Sequence, residues 1–132
     1  MEQQFDQKAI NKICKQYGIN LLILHGSSIT GRTTAESDID VGILGNSKNI
    51  SEHRMDIISD FSKVFGDRFD PVFLNGAESM ITYNVGLKGI PLYEKQKGFF
   101  DDFKATAITR YMDAKKFRDL EKVYLKNAIK DY

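Results

Sequence analysis

One cysteine, two prolines and no tryptophan occur in 132 residues. The lone thiol, Cys14, excludes an intramolecular disulfide and any cysteine-rich zinc site, and is expected to act as a small buried hydrophobe. Long apolar runs are missing as well. The start, MEQQFDQKAINK, holds no signal-peptide core, and no stretch approaches the roughly 20 residues needed to cross a bilayer. No membrane partner is expected, and the cytoplasm is the expected location. Charge of one sign is also lacking: 19 Lys and Arg face 18 Asp and Glu, a formal net charge of +1. Such a balance offers no bulk field for a nucleic-acid backbone, so direct nucleic-acid binding is not expected, although a local basic patch suffices for a small phosphate ligand. Neither a repeat nor a low-complexity tract nor a Pro/Gly-rich linker divides the chain, which reads as a single domain over residues 1–132.

Hydrophobic residues at 42% and charged residues at 28% are the balance of a folded globule. Residues 2 to 17 place Phe5, Ala9, Ile13 and Tyr17 at steps of four, which predicts a helix ended by Gly18. NLLILH, residues 20 to 25, is a short apolar run suited to a strand covered on both faces, and IDVGIL, residues 39 to 44, is a second strand. Arg54, Ile58, Phe61 and Phe65 fall at helical spacing within 51 to 65, with Asn49 or Ser51 as the N-cap and Gly66 as the stop. FDPVFL, residues 69 to 74, is a third strand, which Pro71 assigns to an edge or a bulge. A short helix over 78 to 88, a fourth strand at IPLY and one long helix from Phe100, striped through Ala128, complete the order. That order is an α/β (α+β) class: a small mixed sheet flanked by helices, with a long C-terminal helix.

The chemistry concentrates early. Asp38 and Asp40 stand one residue apart at the mouth of a strand, where alternate side chains share a face. Two converging carboxylates repel unless a cation sits between them, and hard oxygen donors suit Mg²⁺ or Mn²⁺. An isolated Asp-x-Asp is more often a pair of turn caps or solvent-facing acids than a metal site; the context upstream decides. Gly26 and Ser27 close an apolar strand and lead into SITGRTT, where the backbone can approach an anion closely and amides can point at phosphate oxygens.

The segment LHGSSITGRTTAESDIDVGIL resembles the signature of the DNA polymerase β-like nucleotidyltransferase superfamily, and specifically its minimal nucleotidyltransferase (MNT) group, with the likeness running over about residues 21 to 94. The resemblance implies a polymerase β-like fold and a metal-bound triphosphate, ATP foremost, attacked at its α-phosphorus by an acceptor hydroxyl. It assigns Asp38, Asp40 and a later-strand acid, Asp70 in RFDPVFLN, as the catalytic and metal-holding triad for two Mg²⁺ ions, with Mn²⁺ as a substitute. It assigns Gly26, Ser27, Ser28, Arg32 and Ser37 to the nucleotide phosphates. Two positions depart from it: His25 replaces a large aromatic and Ser28 an Arg or Tyr, which weakens the expected phosphate grip. His25 itself reads as a packed residue rather than a catalyst.

Relatives of this size imply a role as the antitoxin of a two-gene pair, inactivating a HEPN-type ribonuclease toxin by transferring AMP to its tyrosine. Transfer to a small hydroxyl compound such as an aminoglycoside, and neutralisation of a partner by contact alone, are the alternatives. The chain is not itself such a toxin, since neither His25 nor His53 follows an Arg by four to six residues. Phe99, Phe100, Phe103 and Tyr111 read as core or partner contacts rather than a nucleobase pocket. Lys115, Lys116, Arg118, Lys122 and Lys126 give the last helix a basic side, either solvated or facing an acidic partner.

Overall fold

The computed structural model describes residues 5–26 and 38–130. Along them run α1 (Gln7–Tyr17), β1 (Ile19–His25), β2 (Ile39–Gly45), α2 (Ser47–Phe65), β3 (Phe69–Phe73), α3 (Ser79–Lys88), β4 (Ile90–Glu94) and α4 (Phe99–Lys130), the order read from the periodicities. Helix α1 starts later than expected because Asp6 caps it, its carboxylate accepting from the Ala9 amide at 3.2 Å. Gly18, at φ +67°, ends it, its backbone N–H donating a hydrogen bond to the Cys14 carbonyl. The face α1 buries is Ile10, Ile13, Cys14 and Tyr17 rather than the four-step stripe through Ala9, since a 3.6-residue turn groups positions three and four apart. Cys14 is fully buried, and burial pushes its thiol up to about 12, which keeps it protonated.

Helix α2 begins a turn before the expected caps. Asn46 is the N-cap and accepts from the amides of Lys48 and Asn49; neither Asn49 nor Ser51 does so. A kink at His53 (φ −118°, ψ 17°) separates that first turn from the rest and obscures its place in the period. The core face is Ile50, Ile57, Phe61 and Phe65, while Arg54 stays exposed with its guanidinium 4.3 Å above the Phe73 ring.

The four strands form one mixed sheet in the order β3-β2-β1-β4. β1 is antiparallel to β2 and β4, and β2 is parallel to β3. Both prolines in strands lie at edges, Pro71 in β3 and Pro91 in β4, where a missing amide proton costs no central ladder bond. Asn75, just past β3, locks the parallel pair: its side chain accepts from Gly45 N at 3.1 Å and donates to Gly45 O at 2.7 Å.

Pleating divides the sheet into two faces. Leu22, Leu24, Ile39, Val41 and Ile43 pack with α1 and α2 in the main core. Leu21, Ile23 and Leu74 pack on the other side with Val85 of α3 and with Phe99, Phe100 and Phe103 of α4. Apolar cover on both faces is why β1 and β2 read as continuous hydrophobic runs. Tyr111 stacks on Tyr83 with ring centroids 4.0 Å apart, so these four aromatics serve packing. The stripe on α4 meets the globule only in its first half: Ala107 is buried, whereas every residue from Lys115 to Asn127 is exposed.

Candidate active site

Alternation along β2 sends Ile39, Val41 and Ile43 into the main core, and so turns Asp40 to the α3/α4 side of the sheet. The parallel register sets Asp70 of β3 directly beside Asp40, and the antiparallel register sets His25 of β1 on its other flank. Three strand ends therefore converge on one carboxyl. Asp70 lies on β3 and is paired with Asp40, whereas Asp67 lies in the turn before the strand.

Asp40 is half-buried and its carboxyl hydrogen-bonds that of Asp70. Burial, that bond, and the charges of Asp70 and then Asp38 together push the Asp40 carboxyl up to about 6. Asp38 is exposed, just before β2, and among the described residues no group of three His, Cys, Asp or Glu side chains is already gathered for an ion. The structure thus unites Asp40 and Asp70 and leaves Asp38 as a neighbouring charge at the same strand end. Carboxylates at such spacing repel, and a shared proton relieves only one pair. An all-oxygen, acid-only donor set of this kind suits a hard divalent cation, so these residues fit the group that the sequence resemblance implies.

The turn after β1 presses on the same carboxyl. Gly26 sits at φ +78°, and a Cβ built there would collide with Oδ2 of Asp40 and stand 2.9 Å from its Cγ. Both space and backbone demand glycine here. Gly26→Ala is expected to lower the activity of this site by about a hundredfold and stability by about 1–3 kcal/mol, read from initial rates and denaturant midpoints. An unchanged rate would show that the turn and Asp40 are not coupled.

His25 is half-buried at the end of β1, and burial lowers its pKa more than the Asp70 charge raises it, leaving the ring neutral at pH 7. That agrees with a packed residue. Ser27, Ser28, Arg32 and Ser37 lie outside the described residues. Two supports escaped the sequence reading. Gly42 clears the face between the acids and α3, where a Cβ would meet Leu74 Cδ1 at 3.0 Å, and the Asn75 clasp holds β2 against β3. A glycine inside an apolar strand was the only signal for the first.

A cavity of about 440 Å³ occupies the same sheet face, lined by Asn20, Leu44, Asn75, Phe103 and Arg110 among others. It is at the far strand ends, away from the acids, and does not belong to this site. Among the described residues no helix is long and apolar enough to cross a membrane.

The family model described as polymerase beta, nucleotidyltransferase matches residues 8–98, from α1 to the end of the sheet. Protein adenylyltransferase MntA of Aphanizomenon flos-aquae is 28% identical over 119 residues, 83% of this chain and 77% of that protein. A crystal structure of a toxin-antitoxin with AMP-PNP contains a chain of the same fold: TM-score 0.70, 19% identity, 92% of this chain and 98% of that one. A structure of a tri-AMPylated Shewanella oneidensis HEPN toxin in complex with an MNT antitoxin matches with TM-score 0.59 and 19% identity, covering 91% of this chain and 95% of that one. A family match over most of the chain, superposed on a sheet whose register brings two acids together beside a glycine turn, places this chain in the polymerase beta nucleotidyltransferase family.

Proposed function

We propose that the chain is a protein adenylyltransferase that moves AMP from ATP to a tyrosine hydroxyl of a HEPN-type ribonuclease toxin and so serves, in the cytoplasm, as that toxin's one-domain antitoxin. The observation that carries the reading is the Asp40–Asp70 carboxyl pair set against Gly26. Support for the acceptor comes from the similarity to MntA, named a protein adenylyltransferase, and from the toxin-antitoxin structures that share the fold.

Asp38, Asp40 and Asp70 would hold Mg²⁺, as two ions, with Mn²⁺ also compatible with the oxygen donors. When bound, the cations neutralise triphosphate charge and stabilise the attacking and leaving oxygens. Gly26, Ser27, Ser28, Arg32 and Ser37 orient the phosphates, through backbone amides at the glycine turn and hydroxyl and guanidinium donors beyond it. Asp70, exposed at the strand end, takes the proton of the acceptor hydroxyl. The acceptor oxygen bonds to the α-phosphorus, the bond from that phosphorus to the α,β-bridging oxygen breaks, and pyrophosphate leaves with the electron pair.

Incubation with Mg²⁺, α-labelled ATP and the product of the neighbouring gene is expected to put label on a tyrosine of that product, and chelation to prevent it. Absence of label with every nucleotide tried would overturn the transferase reading. Label on an aminoglycoside without any protein partner would move the acceptor to a small molecule.

A further inference from the structure

Helix α4 carries its apolar stripe beyond the body that it packs against. Its first half lies on α3, β1 and β4. From Lys115 to Asn127 every residue is exposed, and Phe117, Leu120, Tyr124 and Ile129 are 71%, 61%, 73% and 72% exposed. Sixteen helical residues extend about 24 Å, and a lone helix of that length is marginal in water. Apolar side chains in such number on one exposed element mark a surface that is covered in use.

At 100° per residue, Phe117, Leu120, Tyr124 and Ala128 fall within an arc of about 80°. Lys116 borders that arc on one side, Glu121 and then Arg118 on the other, and Lys115, Lys122 and Lys126 lie behind it. Among the described residues none of these five cations makes an ion pair within the chain. We propose that residues 115–130 are the docking helix for the protein acceptor, with Phe117, Leu120 and Tyr124 seated in an apolar groove whose rim is acidic and meets the flanking cations. The identity of the occupant rests on the adenylyltransferase reading; the surface itself does not.

Charge selects among the possible occupants. A second copy pairing through this face would bring one set of cations against another, a like-charge contact that costs binding. An anionic bilayer would have to accept Glu121, which lies between Phe117 and Leu125 on the helix surface. A groove on another protein, unlike a bilayer, can set acids against Lys116 and Arg118 and a polar donor against Glu121 while covering the apolar arc, in the manner of a helix laid into a groove. Such a clamp also gives a one-domain enzyme a way to hold its acceptor.

The test compares the wild-type chain with Phe117→Glu/Leu120→Glu/Tyr124→Glu and, separately, Lys116→Glu/Arg118→Glu. Because all five side chains are exposed, helix content and thermal unfolding should hold in both. Titration calorimetry against the product of the neighbouring gene should show binding weakened by about tenfold to a hundredfold in the first variant and less in the second. In transfer assays, KM for the acceptor should rise by a similar factor while kcat stays. Wild-type affinity in both variants would overturn the docking helix and leave the transferase reading standing. Binding lost in the variants with no transfer by wild type would retain the docking helix and sink the transferase reading. A dimer of the chain alone that the triple variant dissolves, or equal binding to anionic phosphatidylserine vesicles, would give the surface to a different occupant and overturn the proposal.

Discussion

Asp40→Asn is expected to lose at least about a thousandfold in AMP transfer and, without nucleotide or divalent cation, to unfold at a higher temperature than wild type at pH 7. The rate falls because an amide is a poor ligand for a hard cation and cannot replace the charge that the triphosphate site requires. Stability moves the other way. The Asp40 carboxyl is pushed up to about 6 by burial first and then by Asp70 and Asp38, from an ordinary value of 3.8. A folded state that holds the proton more tightly than the unfolded chain gains stability from it that is fully present below pH 3.8. That gain is lost as pH rises through about 6. At neutral pH the ionised group therefore strains the fold. Asp40 is only half-buried, so solvent screening reduces the effect to about 1 kcal/mol, or a few degrees in Tm. Asparagine removes the charge, and its advantage should shrink as pH falls from about 6 and be gone by about pH 3.8. Melting curves at pH 7 and pH 4 in chelator check this. A lower Tm for the variant at pH 7 would show that Asp40 is not held against its preference. The same protein separates chemistry from contact: a partner neutralised equally well by Asp40→Asn would be neutralised by binding alone.

Phe61→Ala should be the most damaging single core change, at about 3–5 kcal/mol. Phe61 is fully buried and touches Phe65 and Phe69, with ring centroids 5.9 Å and 6.2 Å away. Phe65 in turn meets Phe5 edge-on at 4.8 Å and stacks on Phe69 at 5.3 Å. This aromatic cluster joins α2 to the first residue of β3, one position before Asp70. A cavity there removes packing from a domain whose total stability is about 5–15 kcal/mol, and it loosens the strand that holds the second acid. Denaturant unfolding should show the midpoint falling sharply, and transfer activity should fall even where most molecules remain folded. A loss below about 1 kcal/mol would mean that the cluster collapses around the gap.

Local chemistry made much of the fold readable. Gly18 and Gly66 stop their helices, and the apolar runs of β1 and β2 report cover on both faces. Pro71 marks an edge because a proline cannot serve a central ladder. Element boundaries were less readable: Asn46 capped α2 in place of Asn49 or Ser51, because a kink hid the first turn from the period. The stripe on α4 reads as one continuous face, yet only its first half is buried. Periodicity reports that a helix has an apolar side; whether anything lies against that side depends on where the rest of the globule ends.

By itself, the order of amino acids determined the strand and helix types, the acidic pair around Ile39 and the glycine turn, since each depends on neighbours within a few residues. Tertiary structure decided what needs distant partners. The parallel β2–β3 register set Asp70, which the resemblance had named, directly beside Asp40, and the turn at Gly26 was brought against the same carboxyl. Strand pairing and burial link residues that sequence spacing leaves tens of positions apart, and the charge state of Asp40 is set by those links.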